Sequence, residues 1–324
     1  MRTRWAATVG VALLLVLTGC TPAQQRADAI DNSLRELPGV VDLRISSTES
    51  GINQTASVVV SAGLDAESSA EQVTDVVEAW HAQSDGQGIR HSLSIEMGDL
   101  DHVLYLDRGV VPLEEMTAFA VQWRALVPHS RVVIASVGTD SYTSVEWPAA
   151  ASPDAMRPAV EDIRKIIAGV ETPGGWAITS DDEVGAEQAL VVISDGLPND
   201  EQLQYLEFLT AGFAGAEQIG EVALTVTYSD GPAQVEVNLT PEVFLTTPRT
   251  QIPDQLITSE VWPVIEQFTA AAVQTRVSTL KVSVFGAPMA VLDVESCERP
   301  AKERFPLDFE VWDYWASINP VCFQ

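Results

Sequence analysis

Lysine is scarce in this 324-residue chain, which carries only Lys165, Lys281 and Lys302. Its 18 basic residues face 46 acidic ones, for a formal net charge of −28. Such a surface repels phosphate backbones and anionic headgroups, with salt screening beyond about 10 Å, which argues against a nucleic-acid partner. Histidine is as sparse. His81, His91, His102 and His129 form no i,i+3 or i,i+4 pair, whereas a zinc site needs three or four converging ligands. No metal-binding histidine set is expected. The chain also lacks a G-x-S-x-G elbow and any P-loop, G-x-G-x-x-G or H-E-x-x-H motif, and no cofactor is expected. The apolar stretch from Trp5 to Leu17 is uncharged but falls short of the roughly 20 residues a spanning helix needs.

That short stretch has a reading of its own. Arg2 and Arg4 precede it and small residues end it, the arrangement of an export signal. Leu17, Thr18, Gly19 and Cys20 resemble the bacterial lipobox at every position. The resemblance implies that residues 1–19 are a signal peptide and that Cys20 receives a diacylglyceryl thioether. Cleavage before Cys20 would make it the mature N-terminus, with residues 20–23 as the lipid-anchored start. Two acyl chains, at about 0.8 kcal/mol per buried methylene, suffice for stable anchoring. The membrane is thus one expected partner, on the extracytoplasmic face of the cell membrane. The other reading is an ordinary secretory signal or an uncleaved anchor, with Cys20 incidental. Few lysines among many arginines, alanines and valines resemble the usage of GC-rich, actinobacterial-type genomes. In an exported chain the two remaining cysteines, Cys297 and Cys322, are expected to form a disulfide. Closing that loop is worth roughly 3–4 kcal/mol in the chain-entropy model.

Beyond the leader one pattern recurs. Ile30, Leu34 and Leu37 share a helical face, and "VVDLRIS" and "TASVVVSAGL" then alternate as half-buried strands do. A second helix follows, with Ser68 and Glu71 spaced as a capping box and Val73, Val76, Val77 and Trp80 as its stripe. "HSLSIEM" and "DHVLYLD" are the next two strands. Similar helices are read around Trp123, from Ser152-Pro153 onward, around Leu206 and after Ser259, each before two alternating strands. Helix–strand–strand therefore repeats six times. One unit cannot bury its own faces, so the fold class is α+β. About three sandwiches of antiparallel sheet with helices on one face are expected, over residues 24–109, 110–199 and 200–297. Residues 298–324 depart from the repeat and read as an aromatic extension. Either a helix folds back over the last module, or an aromatic surface binds a glycan or partner.

Residues 34–80 resemble the BON module of bacterial envelope proteins, with Gly39-Val40 entering the first strand and Gly63 within the second. The resemblance implies an interaction module without catalysis. Two acidic stretches could attract a hard cation: Asp181, Asp182 and Glu183, and Asp195, Asn199, Asp200 and Glu201. Neither follows the alternate-ligand pattern of an EF-hand. Carboxylates that cleave glycosides pair in space rather than in sequence, so an envelope hydrolase using an inter-module groove stays open. A cation or small-ligand carrier is the other alternative. The function expected first is a non-catalytic, membrane-anchored binding or scaffold protein of the envelope, with an unidentified envelope protein or glycan as partner.

Overall fold

The computed structural model describes residues 21–319, apart from 52–54, 85–87, 99–101, 109–110, 138–139, 148–154, 171–173, 181–187, 211–215, 230–231 and 276. Cys20 and the lipobox residues lie outside the described residues, as do Cys322 and the acidic stretch at 181–183. The chain divides into two compact units, residues 1–125 with 133–140, and residues 126–132 with 141–324. The division falls inside the second of the three modules read from the sequence.

The fold is α+β, and among the described residues the helix–strand–strand order runs six times. The first unit contains α1 (Pro22–Leu34), β1 (Val40–Thr48), β2 (Ala56–Leu64), α2 (Ala70–Gln83), β3 (Ile89–Met97) and β4 (His102–Asp107). Most of α3 (Leu113–Leu126) and β5 (Arg131–Val137) also belongs to it. The second unit contains β6 (Asp140–Trp147), α4 (Met156–Ile166), β7 (Gly175–Ser180), β8 (Gln188–Asp195), α5 (Asp200–Thr210), β9 (Gly220–Tyr228) and β10 (Ala233–Pro241). It continues through α6 (Ile252–Leu256), α7 (Trp262–Gln274), β11 (Val277–Val284), β12 (Ala287–Asp293) and α8 (Asp308–Ile318).

Pairing corrects one detail of the expectation. The two strands of a hairpin are antiparallel, as in β1–β2, β3–β4, β7–β8, β9–β10 and β11–β12. The strands joined through a helix are parallel: β2–β3, β4–β5, β6–β7, β8–β9 and β10–β11. The sheet is mixed, not antiparallel. A crossover helix carries the chain back to the end of the sheet where the previous strand began, so the next strand runs the same way.

Side chains on one face of the strands are buried. In β2, Ala56, Val58, Val60, Ala62 and Leu64 are buried, while Ser57, Val59, Ser61 and Gly63 between them are not. Strands β9 and β10 alternate in the same way, their intervening side chains mostly half-buried, as in a sheet with one face on the core. Trp80, Phe119 and Trp123 fill the first core; Trp176, Phe268 and Trp315 fill the second. Each large side chain buried this way contributes roughly 1.5–3 kcal/mol.

Local signals held in kind but shifted in place. The capping box of α2 is Ser69 with Gln72, not Ser68 with Glu71. Both pairs satisfy the spacing, and tertiary contacts choose between them. Ser68 is buried, its carbonyl accepts a hydrogen bond from the Arg124 guanidinium, and its hydroxyl lies where a Cβ on Gly39 would clash. Gly39 has φ +91°, open to glycine at little cost. That glycine opens onto a bulge at Val40–Asp42. Helix α4 begins at Met156, and Ser152-Pro153 lie outside the described residues. Ser259 sits in the bend before α7, which starts at Trp262.

The C-terminal segment folds back. Helix α8 packs on α7 and β12, burying Val311, Trp315 and Ala316. It is fixed by Asp308, which is buried and accepts backbone N–H bonds from Val291 (2.9 Å), Arg304 (2.8 Å) and Phe305 (3.0 Å). The Leu307 N–H donates to the Met289 carbonyl at 2.8 Å. These bonds satisfy backbone groups of β12 and so blunt a sheet edge. On the outer side, the Arg299 guanidinium stacks 4.3 Å from the Phe309 ring centroid and pairs with Asp313 at 2.7 Å.

Candidate functional site

Within the second unit, a cavity of about 390 Å³ lies among the start of α5, the facing ends of β9 and β10, and the α7–β11 junction. Its size is in the range of small-molecule sites. Helix α5 starts where it does because Asn199 and Gln202 cap each other. The Asn199 N–H donates to Gln202 Oε1 at 2.8 Å, and the Gln202 N–H donates to Asn199 Oδ1 at 2.9 Å. That geometry turns Glu201, Gln202 and Tyr205 toward the cavity, while Leu203 and Leu206 go to the core.

Two tyrosines dominate the lining. Tyr205 donates its hydroxyl to Glu201 Oε1 at 3.0 Å, and Tyr228 donates to the Gln202 carbonyl at 2.8 Å. Burial pushes the Tyr228 phenol well above its ordinary range, with a smaller contribution from Tyr205, so Tyr228 stays neutral. Both hydroxyls are turned to acceptors on α5. Leu209, Pro232, Ala233 and Val277 add apolar wall, and the Thr275 hydroxyl donates to the Ala271 carbonyl at 3.1 Å. Glu201 is the single carboxylate among the described lining residues, and none of these is a lysine or arginine. Arg157 and Arg164 reach α5 from α4 and pair with Glu207 (2.6 Å) and Asp200 (2.9 Å). The latter contact lowers the Asp200 carboxyl, first by the hydrogen bond and then by charge.

The sequence had singled out Asn199, Asp200 and Glu201 as part of an acidic stretch. The structure brings Asn199 and Glu201 to the cavity and turns Asp200 to Arg164. Among the described residues no group of three metal-ligating side chains converges. Tyr205 and Tyr228 were missed, because 23 positions separate them along the chain and only the fold joins them.

The histidines stay apart, on α2, β3, β4 and the segment after α3. His102 pairs with Met97, as its place on the hairpin predicts. His91 is 1% exposed, and among the described residues neither ring nitrogen has a hydrogen-bond partner. Burial, reinforced by Arg108 and Arg26, lowers its imidazole to about 4. Cys297 is exposed, and its expected partner Cys322 lies outside the described residues. No described helix is long and apolar enough to cross a membrane. Against known proteins, no family model, no curated protein and no solved structure matches this chain.

Proposed function

We propose that the protein is a lipid-anchored lipoprotein on the extracytoplasmic face of the cell membrane, acting there as a non-catalytic binding protein. The observation that carries this reading is the adjacency of Leu17-Thr18-Gly19-Cys20 to folded structure. Helix α1 begins at Pro22, and its Ala23, Ala27, Ile30 and Leu34 are buried. A diacylglyceryl group on Cys20 would therefore hold the first unit close to the bilayer with almost no tether. The acidic surface would keep it slightly off anionic headgroups. In that oxidising exterior Cys297 and Cys322 are proposed to form a disulfide.

The experiment is acyl labelling and fractionation in a lipoprotein-processing bacterium. The wild-type chain should take up radiolabelled palmitate and sediment with membranes. Cys20→Ser should do neither. A Cys20→Ser chain that still carries label would sink the anchor, and labelled protein in the cytosol would sink the location.

The cavity favours a second aspect of the same reading, a small-ligand carrier tethered at the membrane. Its wall is mostly apolar, with a few fixed polar groups, as in binding sites for small molecules.

A further inference from the structure

We propose that strand β1 pairs with β1 of a second copy of this chain, antiparallel about a twofold axis at Leu43. Among the described residues β1 is bonded to β2 and to no other strand, so one row of its N–H and C=O groups is unpaired. The covered face of the sheet also runs out here. On β2 the inward residues Val60 and Ala62 are fully buried. Their neighbours on β1, Ile45 and Leu43, are only half-buried, and Val41 is 67% exposed. By contrast, Asp308 and Leu307 already bond the backbone of Val291 and Met289 on β12.

A bulge and charges are the usual guards of an edge. In β1 the bulge is confined to Val40–Asp42 at the entry to the strand, and the two charges are of opposite sign. Asp42 and Arg44 pair with each other at 2.8 Å, their side chains 54% and 80% exposed, a contact worth little by itself. Antiparallel pairing about one residue sets the residue before it on one strand opposite the residue after it on the other. With Leu43 on the axis, Arg44 of each copy faces Asp42 of the other, Leu43 meets Leu43, and Ile45 lies against the bulge at Val41. Centring on Asp42 or Arg44 would set like charges face to face. Centring on Ile45 would leave both charges opposite the hydroxyls of Ser46 and Thr48. The edge is therefore complementary to itself, as a twofold contact requires. That axis is normal to the sheet, so both α1 helices stand on the same side of it. This arrangement suits two Cys20 anchors in one bilayer, where confinement raises effective concentration. The pairing itself needs no lipid, so it and the anchor fail separately.

The full chain, purified in excess detergent, is followed by sedimentation equilibrium. Wild type should show a reversible monomer–dimer equilibrium. Arg44→Glu should weaken dimerisation by about two- to thirtyfold, because two cross-strand charge pairs are lost. Asp42→Arg combined with Arg44→Asp should restore it. Opposed residues sit about 4.5–5.5 Å apart, within disulfide reach. Mild oxidation should therefore crosslink Leu43→Cys to itself above the wild-type background, and faster than Arg44→Cys or Ile45→Cys. Unchanged amide-exchange protection of α2 and β3 in each variant is the check on folding. A monomer at every concentration, with no Leu43→Cys crosslink, would overturn the pairing. Faster crosslinking at Ile45→Cys, or dimerisation indifferent to the charge swaps, would overturn the register and with it the self-complementarity. In intact cells, a Leu43→Cys disulfide to some other protein in place of itself would overturn the second copy as occupant.

Discussion

Among the described residues the buried ionisable side chains include His91 and Asp107 in the first unit and Asp308 in the second, and His91 and Asp308 are treated in opposite ways. In the second unit Asp308 accepts three backbone N–H bonds that hold the C-terminal segment against β12. In the first, His91 lies inside with neither nitrogen bonded, near the Arg26 and Arg108 guanidiniums. A buried charge is tolerable when hydrogen bonds replace its hydration, and costly when they do not. Asp308 can therefore act as a clamp. Above about pH 4 the folded state holds His91 as the neutral imidazole, so its burial creates an acid-sensitive place in the first unit.

The difference can be broken from either side. The largest effect is expected from Asp308→Ala, which removes the acceptor of three N–H groups and should destabilise the second unit by about 4 kcal/mol. Faster amide exchange at Val291 and Phe305, with exchange in β2 and β3 unchanged, is the check. Acid should act on the other unit. The folded pKa of His91 lies below the unfolded value of about 6.5, so its contribution is intact above pH 6.5 and is lost as pH falls toward 4. A shift to about 4 amounts to roughly 3 kcal/mol. Exchange protection of β2 and β3 should drop progressively between pH 6.5 and 4 at constant ionic strength, after correction for the intrinsic exchange rate.

Asp308→Asn sharpens the first comparison by keeping an acceptor and discarding the charge. A loss of about 2 kcal/mol is expected, since charge-assisted bonds are roughly twice as strong as neutral ones. Equal losses for Ala and Asn would mean that the charge does the clamping and not the acceptor. The smallest effect is His91→Leu, which removes two unsatisfied nitrogens and should stabilise the first unit by about 1 kcal/mol at pH 7. The same variant should flatten its acid response, and an unchanged response would move the titrating group elsewhere.

Neither role could have been assigned from the local sequence. His91 occupies an inward position of an alternating strand, between Arg90 outside and Leu93 further along the same face. Its isolation depends on what α1 and the end of β4 bring beside it. Asp308 reads as an acidic helix start, and its three donors include Val291, 17 positions away. The ambiguity at Ser68 and Ser69 had the same origin: two overlapping patterns, settled by Arg124 and Gly39 from other elements. The candidate cavity was half legible. Asn199 and Glu201 drew notice as polar residues before a helix, but the tyrosines that give the cavity its character are ordinary members of a helix and a strand.

Periodicity alone determined the α+β class, the six-fold order of helices and hairpins, and the side of each strand that is buried. These follow from the fixed repeats of 3.6 and 2.0 residues, which any stretch of chain expresses by itself. Tertiary structure decided the parallel joins, the two compact units, the state of His91 and the company kept by Tyr228. Each of those depends on groups far apart along the chain, and their meeting is set by the packing of whole elements, which no local repeat encodes.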